Sequence, residues 1–247
     1  MYGFQTDIRA IVIGASGGLG NSFVEQMKHS ERCRSIWSGA RSPEKLTASP
    51  KVTTFFVDIT QEDSIEALAQ QVKEQDYQPN LIINCCGILH NAEGIAPEKT
   101  WRHLNLELMT KVFSINAFGM GLLAKHLIPC MPRQGRAVFA SVSARVGSIS
   151  DNHLGGWYSY RASKAAHNML MKTIAIEANR KRRDIICVSL HPGTVTTNLS
   201  APFTKRKDPA KLFSPQQSTT YLEQVLSGLT PADSGNLFAW DGQAIPF

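Results

Sequence analysis

Ile11-Val12-Ile13-Gly14-Ala15-Ser16-Gly17-Gly18-Leu19-Gly20 is an apolar, β-branched run that ends in a glycine-rich turn and resumes as a helical pattern. Such a run bounded by glycine reads as a buried strand. Gly14 permits the tight turn, Gly18 lets the backbone approach a pyrophosphate closely, and Gly20 lets the following helix pack on the strand. A helix start also carries unpaired N–H groups and positive potential. The turn residues Gly14, Ser16, Gly17, Gly18, Leu19 and Gly20 are therefore read as a phosphate cradle for a dinucleotide.

Outward from this stretch, apolar runs alternate with helical patterns. Strands are predicted at 9–14, 35–38, 52–57, 81–84, 137–143, 185–190 and 236–239, and helices at 18–29, 61–75, 98–129, 156–180 and 215–228. Thr60 is placed as the cap of the second helix and Pro97 at the start of the third. The alternation predicts an α/β fold: one domain over residues 1–247, built as a doubly wound parallel sheet of about seven strands with helices on both faces. Ligands of such a sheet bind beyond the carboxyl ends of the strands. The second strand ends beside Arg41, where a site for NAD(H) would usually place an acid; a guanidinium there would pair with a 2′-phosphate, which favours NADP(H) over NAD(H), the alternative being that Arg41 is only a solvated helix-start residue. Asp58, with Ile59 beside it, follows the third strand, where its carboxylate can meet the adenine amino group or merely begin a turn.

The 247 residues carry 43% hydrophobic and 19% charged side chains, ordinary values for a globular protein. No secretory leader and no segment long and apolar enough to span a bilayer is read, so a cytoplasmic protein without membrane attachment is expected. Five cysteines lie scattered without metal-ligand spacing and are read as reduced, buried thiols. Much of the net charge of +6 sits in Arg180-Lys181-Arg182-Arg183 and Lys205-Arg206-Lys207, read as a solvated helix end and a loop; nucleic acid is not an expected partner. Residues 200–214 break the alternation and are expected to form a mobile substrate loop or a plain surface loop.

Tyr158-Ser159-Tyr160-Arg161-Ala162-Ser163-Lys164-Ala165 puts Tyr160 and Lys164 four apart, on one face of a helix. A phenol near its ordinary pKa of about 10 is a poor acid–base catalyst, and a neighbouring ammonium is expected to lower it. Tyr160 can then protonate a carbonyl oxygen, or deprotonate an alcohol in reverse.

Gly14-x-x-x-Gly18-x-Gly20, Asn84-Cys85-Cys86-Gly87, Asn116, the serines at the fifth strand, Tyr160-x-x-x-Lys164 and Pro192-Gly193 occur in one order along the chain. In this the chain resembles the short-chain dehydrogenases/reductases, a family of Rossmann-type folds. Arg145–Asn152, Gly155–Tyr160 and the closing Trp240–Pro246 resemble the branch of sniffer-type carbonyl reductases and C-factor-like proteins. The resemblance implies that Lys164 also binds the nicotinamide ribose and that Asn116 holds a water relaying protons to Lys164. It further implies that Asn84, Cys85 and Gly87 floor the adenosine ribose, and that Val195 and Thr197, after Pro192-Gly193, bind the carboxamide. A homodimer or homotetramer is implied too.

The chain departs from the family pattern at Cys85-Cys86 and at the fifth strand, which reads Ala140-Ser141-Val142-Ser143-Ala144. Ser143 is taken as the serine that orients the substrate carbonyl, with Ser141 the alternative, because both face one side of a strand. The longer stretch from Ser143 to Tyr160, including 148–156, is expected to help build the substrate pocket. The function expected is hydride transfer between NADP(H) and a small or medium carbonyl or alcohol compound. The alternative is a C-factor-like signalling or sensor protein with incidental redox activity.

Overall fold

A computed structural model describes residues 1–181, 184–204 and 208–247. Eight strands form one sheet: β1 (Ile8–Ile13), β2 (Cys33–Ala40), β3 (Val52–Phe56), β4 (Leu81–Asn84), β5 (Ala137–Val142), β6 (Ile185–His191), β7 (Leu237–Ala239) and β8 (Ala244–Ile245). Their spatial order is β3-β2-β1-β4-β5-β6-β7-β8. All neighbours are parallel except β7 and β8, which pair antiparallel. The sheet is thus doubly wound, with one more strand than the sequence predicts. Ala244–Ile245 is too short to carry a period of its own, and Leu237 and Phe238 define it only by pairing with it.

The principal helices are α1 (Gly18–Lys28), α2 (Glu62–Glu74), α3 (Leu106–Phe113), α4 (Gly119–Leu127), α5 (Tyr158–Arg180), α6 (Ala201–Thr204) and α7 (Pro215–Gly228). Side chains alternate across each strand, and the sheet separates two cores. Ile8, Ala10 and Val12 pack with α1 and α7, whereas Ile11 and Ile13 pack with α2, α4 and α5. Strand order reverses between β1 and β4, where Ile13 lies opposite Asn84, and this opens a ligand crevice beyond the strand ends.

Three helix predictions are corrected. The third helix starts at Leu106, capped by the Asn105 side chain, because Glu98 and Pro97 belong to a connection that folds against α5. It is also interrupted by a π turn at Ser114–Phe118 between α3 and α4. Thr60 does not cap α2, which follows Gln61; its amide and hydroxyl both donate to Asp58 Oδ1 instead. The last helix of the site begins at Tyr158 because Gly155, Gly156 and Trp157 all take positive φ. A membrane-length stretch is present after all: Leu106–Cys130 is helical over 25 residues, and an 18-residue window within it has a mean hydropathy of 1.2. Met120, Leu123 and Leu127 of this stretch lie in the core against α2 and α5.

Lys181 ends α5 in an exposed pair with Glu177, as a solvated helix end should. Arg182, Arg183 and Lys205–Lys207 lie outside the described residues, so the loop predicted at 200–214 is seen only as α6 and the segment from Asp208 onward.

Candidate active site

The glycine turn closes the carboxyl end of β1. The amides of Gly14 and Ala15 both donate to Gly39 O, 2.9 and 3.0 Å away, and lash the turn to β2. Gly14 has φ +79°, which a side chain would strain. A Cβ on Gly20 would lie 2.3 Å from Gly14 O, so only glycine lets α1 come this close. No side chain caps α1 at Gly17 and no acid stands in its first turn; Ser16, Gly17 and Gly18 are exposed, while Leu19 is half-buried and Gly20 buried. The Gly17 amide closes the turn on Gly14 O at 3.0 Å, and the uncapped start of α1 with the cradle that a Cβ would fill fits a dinucleotide pyrophosphate.

Other predicted residues converge on the crevice. Burial pushes the Cys86 thiol up to about 12, while Arg41 and Lys164 pull it down and Asp58 raises it. One thiol therefore senses the charges from the ends of β2, β3 and α5 together. Arg41 is exposed directly after β2. The Asp58 carboxylate is partly spent on Thr60, which realises the turn-starting alternative. Ile59, expected beside the adenine, turns its side chain into the core, where Gly119 would carry a Cβ only 2.8 Å from it. Asn84 is buried and braced, donating to Ser141 Oγ at 2.9 Å and accepting from the Cys86 amide at 3.1 Å. Cys85 packs against the core on the α1 side. A Cβ on Gly87 would stand 3.6 Å from both Asn116 Oδ1 and Lys164 Nζ, which makes Gly87 the floor between cofactor turn and catalytic helix. Across the crevice, Pro192 is buried, Gly193 turns at φ +77°, Val195 bridges to Phe213, and Thr197 lies against Gly18.

Tyr160 and Lys164 stand one turn apart on α5, with Lys164 Nζ 6.0 Å from the centroid of the phenol ring. The ammonium donates to Val142 O at 2.9 Å, and burial brings Lys164 down to about 8. Tyr160 moves opposite to the expectation: burial pushes it up to about 12. Desolvation penalises phenolate and ammonium alike, and it is what moves both groups here. A phenol so raised is protonated at neutral pH.

Asn116 sits in the π turn. Its side chain accepts from Ile88 N (2.8 Å) and donates to Ile88 O (2.9 Å) and Ser163 Oγ (3.1 Å). Its backbone carbonyl accepts from His167 Nδ1 at 2.9 Å. The water that the resemblance implies on Asn116 has to share this carbonyl with His167. Burial, with Lys164 nearby, takes His167 down to about 3, so the ring is neutral.

Neither candidate serine has Tyr160 as its hydrogen-bond partner. Ser141 is bonded by Asn84, and Ser143, 3% exposed, donates to Asn168 Oδ1 at 2.8 Å. They lie on one side of β5 and its continuation, but both faces of β5 are buried. The half-exposed residue after them is Ala144, which has no hydroxyl.

A cavity of about 190 Å³ adjoins Tyr160, lined by Leu89, Ile95, Glu98, His103 and Val112 among others. Residues 148–156 do not line it; that stretch leads instead into Trp157, whose ring meets Tyr160 at 6.1 Å. Phe203 of α6 packs on Trp157 at 5.1 Å and on His90 at 5.6 Å. Sequence reasoning missed Glu98, His167, Trp157 and Phe203. Glu98, His167 and Phe203 are connected to Tyr160 by the fold, whereas Trp157 lies three residues before it with no signal of its role.

Residues 9–208 match the family profile described as short chain dehydrogenase. The C-signal protein of Myxococcus xanthus is 32% identical over 56% of this chain and 78% of its own. The structure of NADPH-bound carbonyl reductase from chicken fatty liver superposes with a TM-score of 0.86 at 27% identity, covering 98% of this chain and 96% of that one. Carbonyl reductase Sniffer of D. melanogaster superposes with a TM-score of 0.82 at 22% identity, covering 98% and 100%.

Proposed function

Since the chain belongs to the short chain dehydrogenase family, we propose that it is an oxidoreductase transferring hydride between NADP(H) and a small or medium carbonyl or alcohol compound. The observation that carries this reading is the pair of a half-buried Tyr160 and a buried Lys164 one helical turn apart, at the crevice that begins at the glycine turn. Gly14, Ser16, Gly17 and Gly18 would hold the pyrophosphate, Arg41 a 2′-phosphate, and Lys164 with the 192–197 segment the nicotinamide end. The bound cofactor supplies the hydride. Tyr160, protonated at neutral pH, donates its proton to the carbonyl oxygen, and the Lys164 ammonium eases the negative charge left on the phenol. Trp157 packs edge-on against the Tyr160 ring and Phe203 packs on Trp157, an aromatic pair that would shield the substrate oxygen from water. Ser143 has no part in this scheme, because its hydroxyl is committed to Asn168.

The preference for NADP(H) is supported by Arg41 and by the NADPH bound in the chicken reductase. The sensor alternative is not favoured, because Tyr160, Lys164 and Asn116 are all present and mutually arranged. Met169 and Ile176 lie exposed seven apart on α5 and support association of two copies, which light scattering would read as a dimer.

The test is oxidation of NADPH against NADH with aldehydes, ketones and diketones. Tyr160→Phe is expected to lower kcat by about 10²–10⁴-fold. Arg41→Ala is expected to raise KM for NADPH by roughly 10-fold and leave NADH unaffected. NADPH binding with no turnover on any carbonyl overturns the reductase reading.

A further inference from the structure

The helix that carries Tyr160 starts without a cap of its own. Its Ncap residue is Trp157 at φ +53°, whose side chain makes no capping bond, and its first turn holds no acid. Helix starts leave N–H groups that need acceptors, and the positive end of the dipole favours a carboxylate there. Both are supplied from 61 residues away by Glu98, only 8% exposed. Glu98 Oε2 accepts from Ser159 N at 3.1 Å, Oε1 accepts from the Ser159 hydroxyl, and the Glu98 backbone carbonyl accepts from Trp157 N at 2.6 Å. One residue thus holds both neighbours of Tyr158 and fixes the backbone immediately before Tyr160.

The same side chain lines the cavity against Tyr160, beside His103 and Val112. Its connection is anchored at the other end too: Ile88 is bonded through both N and O to Asn116 of the π turn. Glu98 therefore couples the segment leaving β4 to the start of α5, and any slack at this joint is transmitted directly to the phenol. Exposed acids at helix starts are common and weak; a buried one that spends both oxygens on a single residue next to the proton donor is a different object.

Resting on the reductase reading above, we propose that Glu98 is a positioning residue for Tyr160: a cap supplied in trans by the 88–105 connection that sets where the catalytic helix begins. Its hydrogen bonds go to Ser159 and Trp157 and not to the glycine turn, so its removal is expected to act on proton transfer and spare cofactor binding. Glutamine at 98 preserves both contacts, since its oxygen accepts from Ser159 N–H and its amide donates to the Ser159 hydroxyl oxygen. Alanine preserves neither.

The experiment compares Glu98→Ala, Glu98→Gln and parent by kcat and KM in NADPH-dependent carbonyl reduction, NADPH affinity by fluorescence titration, and amide hydrogen exchange of residues 157–160. Glu98→Ala is expected to lower kcat by about 10- to 100-fold, as misplacement by about an ångström does, with NADPH affinity unchanged and exchange at 157–160 accelerated. Glu98→Gln is expected to restore kcat to within about fivefold of parent. The proposal is overturned if Glu98→Ala keeps parental kcat, if it loses NADPH affinity in step with kcat, or if Glu98→Gln is as impaired as Glu98→Ala. A parent that reduces no carbonyl defeats the reductase reading instead, and the cap is then judged by exchange alone: unaltered protection at 157–160 in Glu98→Ala overturns it.

Discussion

Replacing Lys164 with methionine reads the electrostatics of the catalytic helix through stability, independently of turnover. The lysine is 2% exposed, and burial lowers its pKa from 10.5 to about 8. Between these values the unfolded chain binds a proton that the folded chain does not, so stability rises with pH across that window. Below about pH 8 both states are charged and the fold bears the whole cost of the buried ammonium; above about 10.5 both are neutral and the cost is gone. The full difference is roughly 3.5 kcal/mol, about 2.5 pH units at about 1.4 kcal/mol each. About 2 kcal/mol of it falls between roughly pH 6.5 and 9.5. Lys164→Met keeps the apolar length and removes the charge, and subtracting its unfolding free energy from the parent's cancels the titrations the two proteins share. The Tm of the parent relative to the variant is expected to climb by roughly 4–8 °C over that range for a domain of this size. Thermal unfolding of both proteins at several pH values measures it. A difference that stays flat, or falls as pH rises, refutes the desolvated ammonium.

Other outcomes follow from the same contacts. Gly20→Ala places a methyl 2.3 Å from Gly14 O and is expected to cost more than about 2 kcal/mol and abolish NADPH binding, measured by denaturation and titration. Ser143→Ala strands the buried Asn168 oxygen and is expected to cost about 1–2 kcal/mol while lowering kcat far less than Tyr160→Phe; equal losses would return Ser143 to the active site. Cys86, pushed up to about 12, is expected to react with a thiol reagent at pH 8 at least about 100-fold more slowly in the folded protein than in the unfolded one, as mass spectrometry of the labelled protein would record.

The fold was legible because its signals are local or periodic. A β-branched run before glycine announces β1, and alternating strands and helices dictate parallel crossovers. What escaped depends on partners distant in sequence. The π turn at Ser114–Phe118 lies within an unbroken apolar helix pattern, and what sets it apart is that Asn116 bonds Ile88 and Ser163 and receives His167. Thr60 followed by acids is a sound cap signal, yet Asp58 captures both its donors two residues earlier. Local hydrogen bonds of aspartate compete with helix starts in just this way.

The site divides along the same line. Spacing of four on a helix brings Tyr160 and Lys164 together whatever the rest of the molecule does, and the glycine turn specifies itself. Spacing of two on β5 also holds, since Ser141 and Ser143 do share a face, but sharing a face says nothing about whether that face is wet. That was decided by Asn168, one turn beyond Lys164, which draws the Ser143 hydroxyl under α5 and leaves Ala144 half-exposed after the strand end. The direction of the phenol's pKa was misjudged for a related reason. A sequence shows that an ammonium will be near, but not how far the pair will be desolvated, and the loss of hydration is what raises Tyr160. Pairwise geometry along one element can thus be read from sequence, whereas the solvent exposure of that pair is a property of everything packed around it.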